Sequence, residues 1–151
     1  MEPGQSVKDW ADHFKCQPLV IDFGGFVESR VIEAAKLADV TVVPLSYQST
    51  ADLMPAVKTI TALQPHCETI LVLINNTAPE HIQDLIGILA VRFPKLPVLV
   101  VNRSRHVARL ADDGLTVIDI AEMGGLEAYQ LRHILPQIKK LYGFLDKHIK
   151  H

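Results

Sequence analysis

The sequence has little cysteine, no long apolar run and no excess of one charge, and each shortage removes a class of protein. Cys16 and Cys67 are the only cysteines. There is no CxxC pair and no histidine at ligand spacing, so neither a disulfide framework nor a structural zinc site is indicated. Every apolar run stops far short of the ~20 residues that span a bilayer. The opening MEPGQSVKDW has no cationic stretch leading into an apolar one, so it does not read as a signal peptide. The 15 basic and 17 acidic side chains nearly cancel. No whole-chain field therefore draws nucleic acid, and any such surface must be local. These shortages predict a reduced, cytoplasmic protein. With 151 residues, 48% of them hydrophobic and 21% charged, the chain has the size and composition of one globular domain, residues 1–151.

What is present repeats one grammar. Leu19-Val20-Ile21-Asp22, Val40-Thr41-Val42-Val43-Pro44, Ile70-Leu71-Val72-Leu73-Ile74-Asn75 and Val98-Leu99-Val100-Val101-Asn102 are short, β-branched and apolar on both faces. Strands buried in a parallel sheet have this composition, which predicts strands near 19–22, 40–44, 70–75 and 98–101. Between them, Val31, Ile32, Ala35 and Ala38 recur at helical spacing, as do Leu53, Val57, Ile60 and Thr61. Ile82, Leu85, Ile86 and Leu89 do so again before Pro94. Alternating strands and helices predict an α/β fold with a mostly parallel sheet flanked by helices. Trp10 and Phe14, four residues apart, are expected to anchor a first helix. Beyond Asn102, a helix is expected from Arg103 to Asp112, capped at Gly114. A short extended piece is expected over Thr116-Val117-Ile118, then helix from Leu126 to the end, where Pro136 kinks it or starts a second one.

In an open α/β sheet, ligands bind beyond the carboxyl ends of the strands. Those ends carry Asp22, Pro44-Leu45-Ser46, Asn75-Asn76 and Asn102-Arg103. Taken singly, such residues begin turns; together, on one edge of one sheet, they favour a site. An apolar strand ending in Asp22 is how phosphate-handling folds place a carboxylate near magnesium. Gly24 and Gly25 would let the backbone approach a γ-phosphate or change conformation when it leaves. Asp22-Phe23-Gly24 is also a protein-kinase tripeptide, but no HRD loop precedes it.

Several pieces, in order, resemble the ParA/MinD-like deviant-Walker ATPases of plasmid partition and conjugative transfer. Val20-Ile21-Asp22-Phe23-Gly24-Gly25 looks like that family's Walker B and switch II stretch, and Leu37 to Leu45 like its next strand. Ser49-Thr50-Ala51-Asp52-Leu53 is similar to the helix start that follows, and Ile70 to Asn75 to the strand ending in an adenine-contacting Asn. Arg103-Ser104-Arg105 with Ala108 and Gly114-Leu115-Thr116-Val117 is like its C-terminal segment. The resemblance covers residues from about Pro18 to about Leu145. It implies a P-loop NTPase-like (SIMIBI-type) three-layer sandwich, truncated at the N-terminus, with ATP and Mg2+ as the family's ligands. It assigns Asp22 to catalysis and the magnesium shell, Gly24 and Gly25 to γ-phosphate sensing, and Asn75, Asn102 and Arg103 to the nucleotide.

The sequence departs from that family in one decisive respect. Nothing reads G-x-x-x-x-G-K-[ST] or its deviant form, and neither Gly24-Gly25 nor Gly124-Gly125 is followed by the lysine. Without that cradle a triphosphate has no electrostatic home, so this chain alone is expected to bind neither cofactor, and whether it is an enzyme stays open. The same scaffold could instead serve as a non-catalytic adaptor. An exposed strand edge would favour self-association or a partner protein. Basic residues suggest two further surfaces. Lys139, Lys140, Lys147 and Lys150 oppose an apolar stripe on the terminal helix, and Arg105 and Arg109 accompany Arg103 and His106. DNA, or less readily a membrane surface, would suit them; a terminal helix packed on the sheet with solvated lysines is the plainer expectation, as are salt partners in Asp112 and Asp113.

Overall fold

The computed structural model describes residues 6–13, 19–24 and 29–150, the side chains of 10, 11, 13, 50, 108, 109 and 111 aside. Three parallel strands form one sheet in the order β1 (Thr41–Leu45), β2 (Ile70–Asn75), β3 (Val98–Val101). Helix α1 (Val7–His13) and α2 (Ser29–Leu37) precede it. Helix α3 (Thr50–Leu63) crosses from β1 to β2, and α4 (Pro79–Arg92) from β2 to β3. Four helices follow: α5 (Arg105–Asp113), α6 (Val117–Met123), α7 (Gly125–Leu131) and α8 (Leu135–His148). The chain is thus α/β, a parallel sheet flanked by helices. Among the described residues no helix is long and apolar enough to cross a membrane.

Register sorts the core into two faces. Thr41 pairs with Ile70 and Val72 with Val98, so Val43, Leu45, Val72, Ile74, Val98 and Val100 share one face. They pack with Leu53, Val57 and Ile60 of α3 and with Leu85 and Leu89 of α4. Each fully buried large side chain of this kind contributes about 1.5–3 kcal/mol. The opposite face carries Leu71, Leu73, Leu99 and Val101. Val101 there meets a second cluster from α5 to α8, built on Leu110, Val117, Ile120, Leu131 and Ile134.

Three of the four expected strands form, and the first does not. Residues 19–24 carry no strand pairing, and Val20 is 90% exposed. Composition gives strand propensity, but a strand needs a neighbour to complete its hydrogen bonds and its packing. The outer edge of β1 is a poor neighbour. Thr41 donates its N–H to Thr69 of the inner side at 2.9 Å, so by alternation residues 42 and 44 face outward, and residue 44 is a proline with no N–H to give.

One expectation nearer the C-terminus is also corrected. Thr116-Val117-Ile118 enters helix α6 instead of an extended piece. Thr116 Oγ1 accepts the Asp119 N–H at 3.2 Å, and the Asp119 carboxylate accepts the Thr116 N–H at 2.8 Å. This capping box outweighs the β-branched preference of Val117 and Ile118. The helix expected from Leu126 onward takes the second of its two expected forms, for α7 and α8 are separate and Pro136 stands in the first turn of the second helix. Gly114 does cap α5: its φ is 66°, and Leu115 N–H reaches the Leu110 carbonyl at 3.0 Å. Of the proposed first-helix anchors, the Trp10 side chain and all of Phe14 lie outside the described residues.

Candidate functional site

Because the strands are parallel, their carboxyl ends meet at one edge, and three loops leave from it: Ser46-Tyr47, Asn75-Asn76-Thr77 and Asn102-Arg103-Ser104. Thr77 joins the first two. It is a polar side chain in the core, 2% exposed. Its Oγ1 accepts the Tyr47 N–H at 3.1 Å and donates to the Asn75 carbonyl at 3.0 Å. Both uses of a buried hydroxyl are therefore satisfied. Asn76 makes the turn that brings Thr77 back, at φ 48°, a left-handed conformation that asparagine tolerates. The Tyr47 ring then meets His81 of α4 edge-on, centroids 5.2 Å apart.

The third loop is held from the other side of the sheet. The Asn102 N–H donates to Gln137 Oε1 of α8 at 2.7 Å, and Gln137 Nε2 donates to the His133 carbonyl at 3.0 Å. Asn75 pairs with Val101, the residue before Asn102, so adjacent strands do bring these two amides to one edge. Their carboxamides make no hydrogen bond with any described residue. Arg103 and Arg105 are exposed, and the Ser104 hydroxyl between them is buried without a partner.

Three helices begin at this edge, and they differ electrostatically. At α3 the Asp52 carboxylate accepts the N–H groups of Gln48 at 2.9 Å and Ser49 at 2.8 Å. Those bonds hold its carboxyl below the usual aspartate range. Helix α4 begins with Pro79 and Glu80 in its first turn. An external phosphate would meet an acid at both. Helix α5 begins with no acid in its first turn and with Arg103 and Arg105 beside it.

Asp22 is not gathered into this edge. It is exposed, on the segment without strand pairing, and no described hydrogen bond or ion pair ties it to the sheet. Gly24 is exposed, and a Cβ built on it would meet nothing within 4 Å. Gly25 lies outside the described residues, as does the Arg109 side chain. Lys139, Lys140 and Lys147 are exposed along α8. Lys150 pairs with Glu68, both side chains about two-thirds exposed. That hydrogen bond and the Glu68 charge raise the Lys150 ammonium above its ordinary value. Such a surface pair adds little stability. Among the described residues no three His, Cys, Asp or Glu side chains stand together as a metal-binding group.

The sequence pointed to the amides but missed Thr77, Tyr47, His81 and Gln137. Thr77 was discoverable, since it follows the strand-ending Asn75-Asn76 directly. Gln137 lies 35 residues from its partner, and no local pattern announces it. No protein-family model matches the chain, and neither the curated proteins nor the solved structures yield a match.

Proposed function

We propose that the chain is the base-recognising part of a ParA/MinD-like nucleotide switch on a P-loop NTPase-like sandwich, of the kind that serves plasmid partition, DNA transfer or intracellular positioning. The observation that carries this reading is the placement of Asn75 and Asn102 at the carboxyl ends of adjacent parallel strands, with their carboxamides free. An adenine ring presents an N6 amino donor and ring-nitrogen acceptors, and a carboxamide matches such a donor–acceptor pair. Arg103 supplies a flat cationic surface beside them. Phosphate recognition is the weak half. The acids at α3 and α4 occupy the anion-favouring positions, and the sequence holds no glycine-lysine loop. In the resembled family Asp22 would hold the magnesium shell and Gly24 and Gly25 would sense the γ-phosphate. In this chain those roles require a phosphate cradle supplied by another segment or chain.

Amide-resolved NMR with adenosine tests the reading. Shifts centred on Asn75, Asn102 and Arg103 are expected; shifts confined to other surfaces would refute it.

A second reading, an adaptor working without nucleotide, is favoured by one specific feature. β1 has no partner on its outer edge among the described residues, and Val42 and Pro44 are exposed beside it. Since Pro44 interrupts strand addition along this edge, a second copy or another protein would dock on the Val42 and Pro44 side chains, with DNA a further candidate for the Arg105, Lys139, Lys140 and Lys147 surface. An adenosine titration with no response, together with a partner that covers Val42 and Pro44, would select this reading.

A further inference from the structure

Helix α8 lies across the sheet like a strap, and the two ends of the strap are fixed differently. Its 14 residues extend about 21 Å, close to the length of the six-residue β2, about 20 Å. Gln137, in its first turn, is bound to the carboxyl end of β3 through the Asn102 N–H. Just past its last turn, Lys150 is paired with Glu68, two residues before β2 begins. The helix thus runs from the ligand edge of the sheet to the opposite edge. Between these ends it presents Ile138, Leu141, Phe144 and Leu145, all half-buried, and no residue of α8 is fully buried. Helix α3, by contrast, buries Leu53, Ala56, Val57, Ile60 and Leu63. Elements with half-buried contacts open locally at lower free energy than the elements they cover. The Lys150–Glu68 tether is exposed and adds little.

Gln137 makes such an opening consequential. When α8 lifts, the Asn102 N–H loses its acceptor, and the Asn102-Arg103-Ser104 loop loses the bond that fixes it at the end of β3. We propose that α8 is a regulatory strap for the carboxyl-edge site, with Gln137 as the positioning residue that makes strap docking and loop conformation one equilibrium. Control of base binding by the strap rests on the nucleotide reading given above; the mechanical coupling stands on the hydrogen bonds alone. By linkage, anything that binds the ordered Asn102 loop holds α8 down, and anything that captures released α8 weakens binding at the edge to the same extent.

Hydrogen exchange of the full chain, read amide by amide, tests the coupling, using variants at both sites. Gln137→Leu is expected to raise exchange at Asn102 and along 138–145 together, by about tenfold. Leu141→Ala, four residues along α8 from Gln137, is expected to raise exchange at Asn102 by a similar factor. Exchange at Leu71 and Leu73 should remain much slower than at Asn102 and 138–145 in both, showing that the sheet stays folded when the strap opens. Faster exchange in 138–145 with Asn102 unchanged in Leu141→Ala would overturn the strap. A second arm uses adenosine as the probe. In the wild-type chain it should shift Asn75, Asn102 and Arg103, and in Gln137→Leu the Asn102 and Arg103 shifts should fall several-fold while that of Asn75 persists. Equal shifts in both proteins would overturn regulation by α8. An absence of shifts in the wild-type chain would defeat the nucleotide premise and with it control of base binding, and the exchange arm reports separately on the coupling.

Discussion

The Thr77 hydroxyl stands 3.1 Å from the Tyr47 N–H and 3.0 Å from the Asn75 carbonyl, so one buried side chain ties the loop after β1 to the end of β2. Removing it strands both backbone groups. Thr77→Val keeps the shape and loses the hydroxyl, and it should destabilise the fold by about 1–3 kcal/mol. Thr77→Ser keeps the hydroxyl and should recover most of that loss. Urea denaturation of the three proteins checks the order.

The Asp52 cap sets a pH dependence at the same edge. Backbone N–H bonds from Gln48 and Ser49 hold its carboxyl below the ordinary value. A depressed carboxyl contributes stability above its unfolded pKa and loses it as pH falls through the folded one. Asp52→Asn should therefore be less stable than wild type at neutral pH. The difference should shrink once pH drops below the ordinary aspartate range. Thermal melts across that range would show the two curves converging, and parallel curves would contradict the cap.

Ile70–Asn75 and Val98–Val101 were readable because each is apolar on both faces and lies where neighbours exist. Leu19-Val20-Ile21 has the same composition and forms no strand, since periodicity reports what a residue tolerates and not whether a partner edge is present. The Thr116–Asp119 capping box was written in the sequence, and it outweighs the β-branched preference at 117 and 118. The polar edge was visible as strand-ending asparagines. Of the groups that position it, Thr77 follows those asparagines directly, whereas Gln137 acts through a hydrogen bond across 35 residues that no local spacing encodes.

Cys67 is a free, half-buried thiol that donates to Thr41 Oγ1 at 3.3 Å. Burial pushes its pKa up, more than the Thr41 contact lowers it. The thiolate is the reactive form, so Cys67 should alkylate more slowly at neutral pH than the same residue in urea. Cys16 is expected to be a free thiol too, although it lies outside the described residues. Intact mass after alkylation without reductant should show both modified, and a species two protons lighter and unmodified would contradict this.

Pro44 faces the open edge of β1, where it removes an outward donor. Pro44→Thr would restore that donor without disturbing the β1–β2 ladder. It should leave thermal stability nearly unchanged and increase concentration-dependent self-association. Sedimentation at several concentrations reads the difference, and an unaltered monomer fraction would show that proline does not guard this edge.

If, as proposed, the edge recognises a base while the phosphate cradle lies elsewhere, binding by this chain must be weak. A few hydrogen bonds from Asn75, Asn102 and Arg103, worth about 1 kcal/mol each net, cannot overcome the association entropy by a wide margin. Titration calorimetry of the 151-residue chain with ATP and magnesium, beside adenosine and a phosphate-release assay, measures this directly. Millimolar affinity, equal for ATP and adenosine, with no phosphate released, is the predicted result. Micromolar ATP binding that Asp22→Ala abolishes would contradict it and place a phosphate site on this chain.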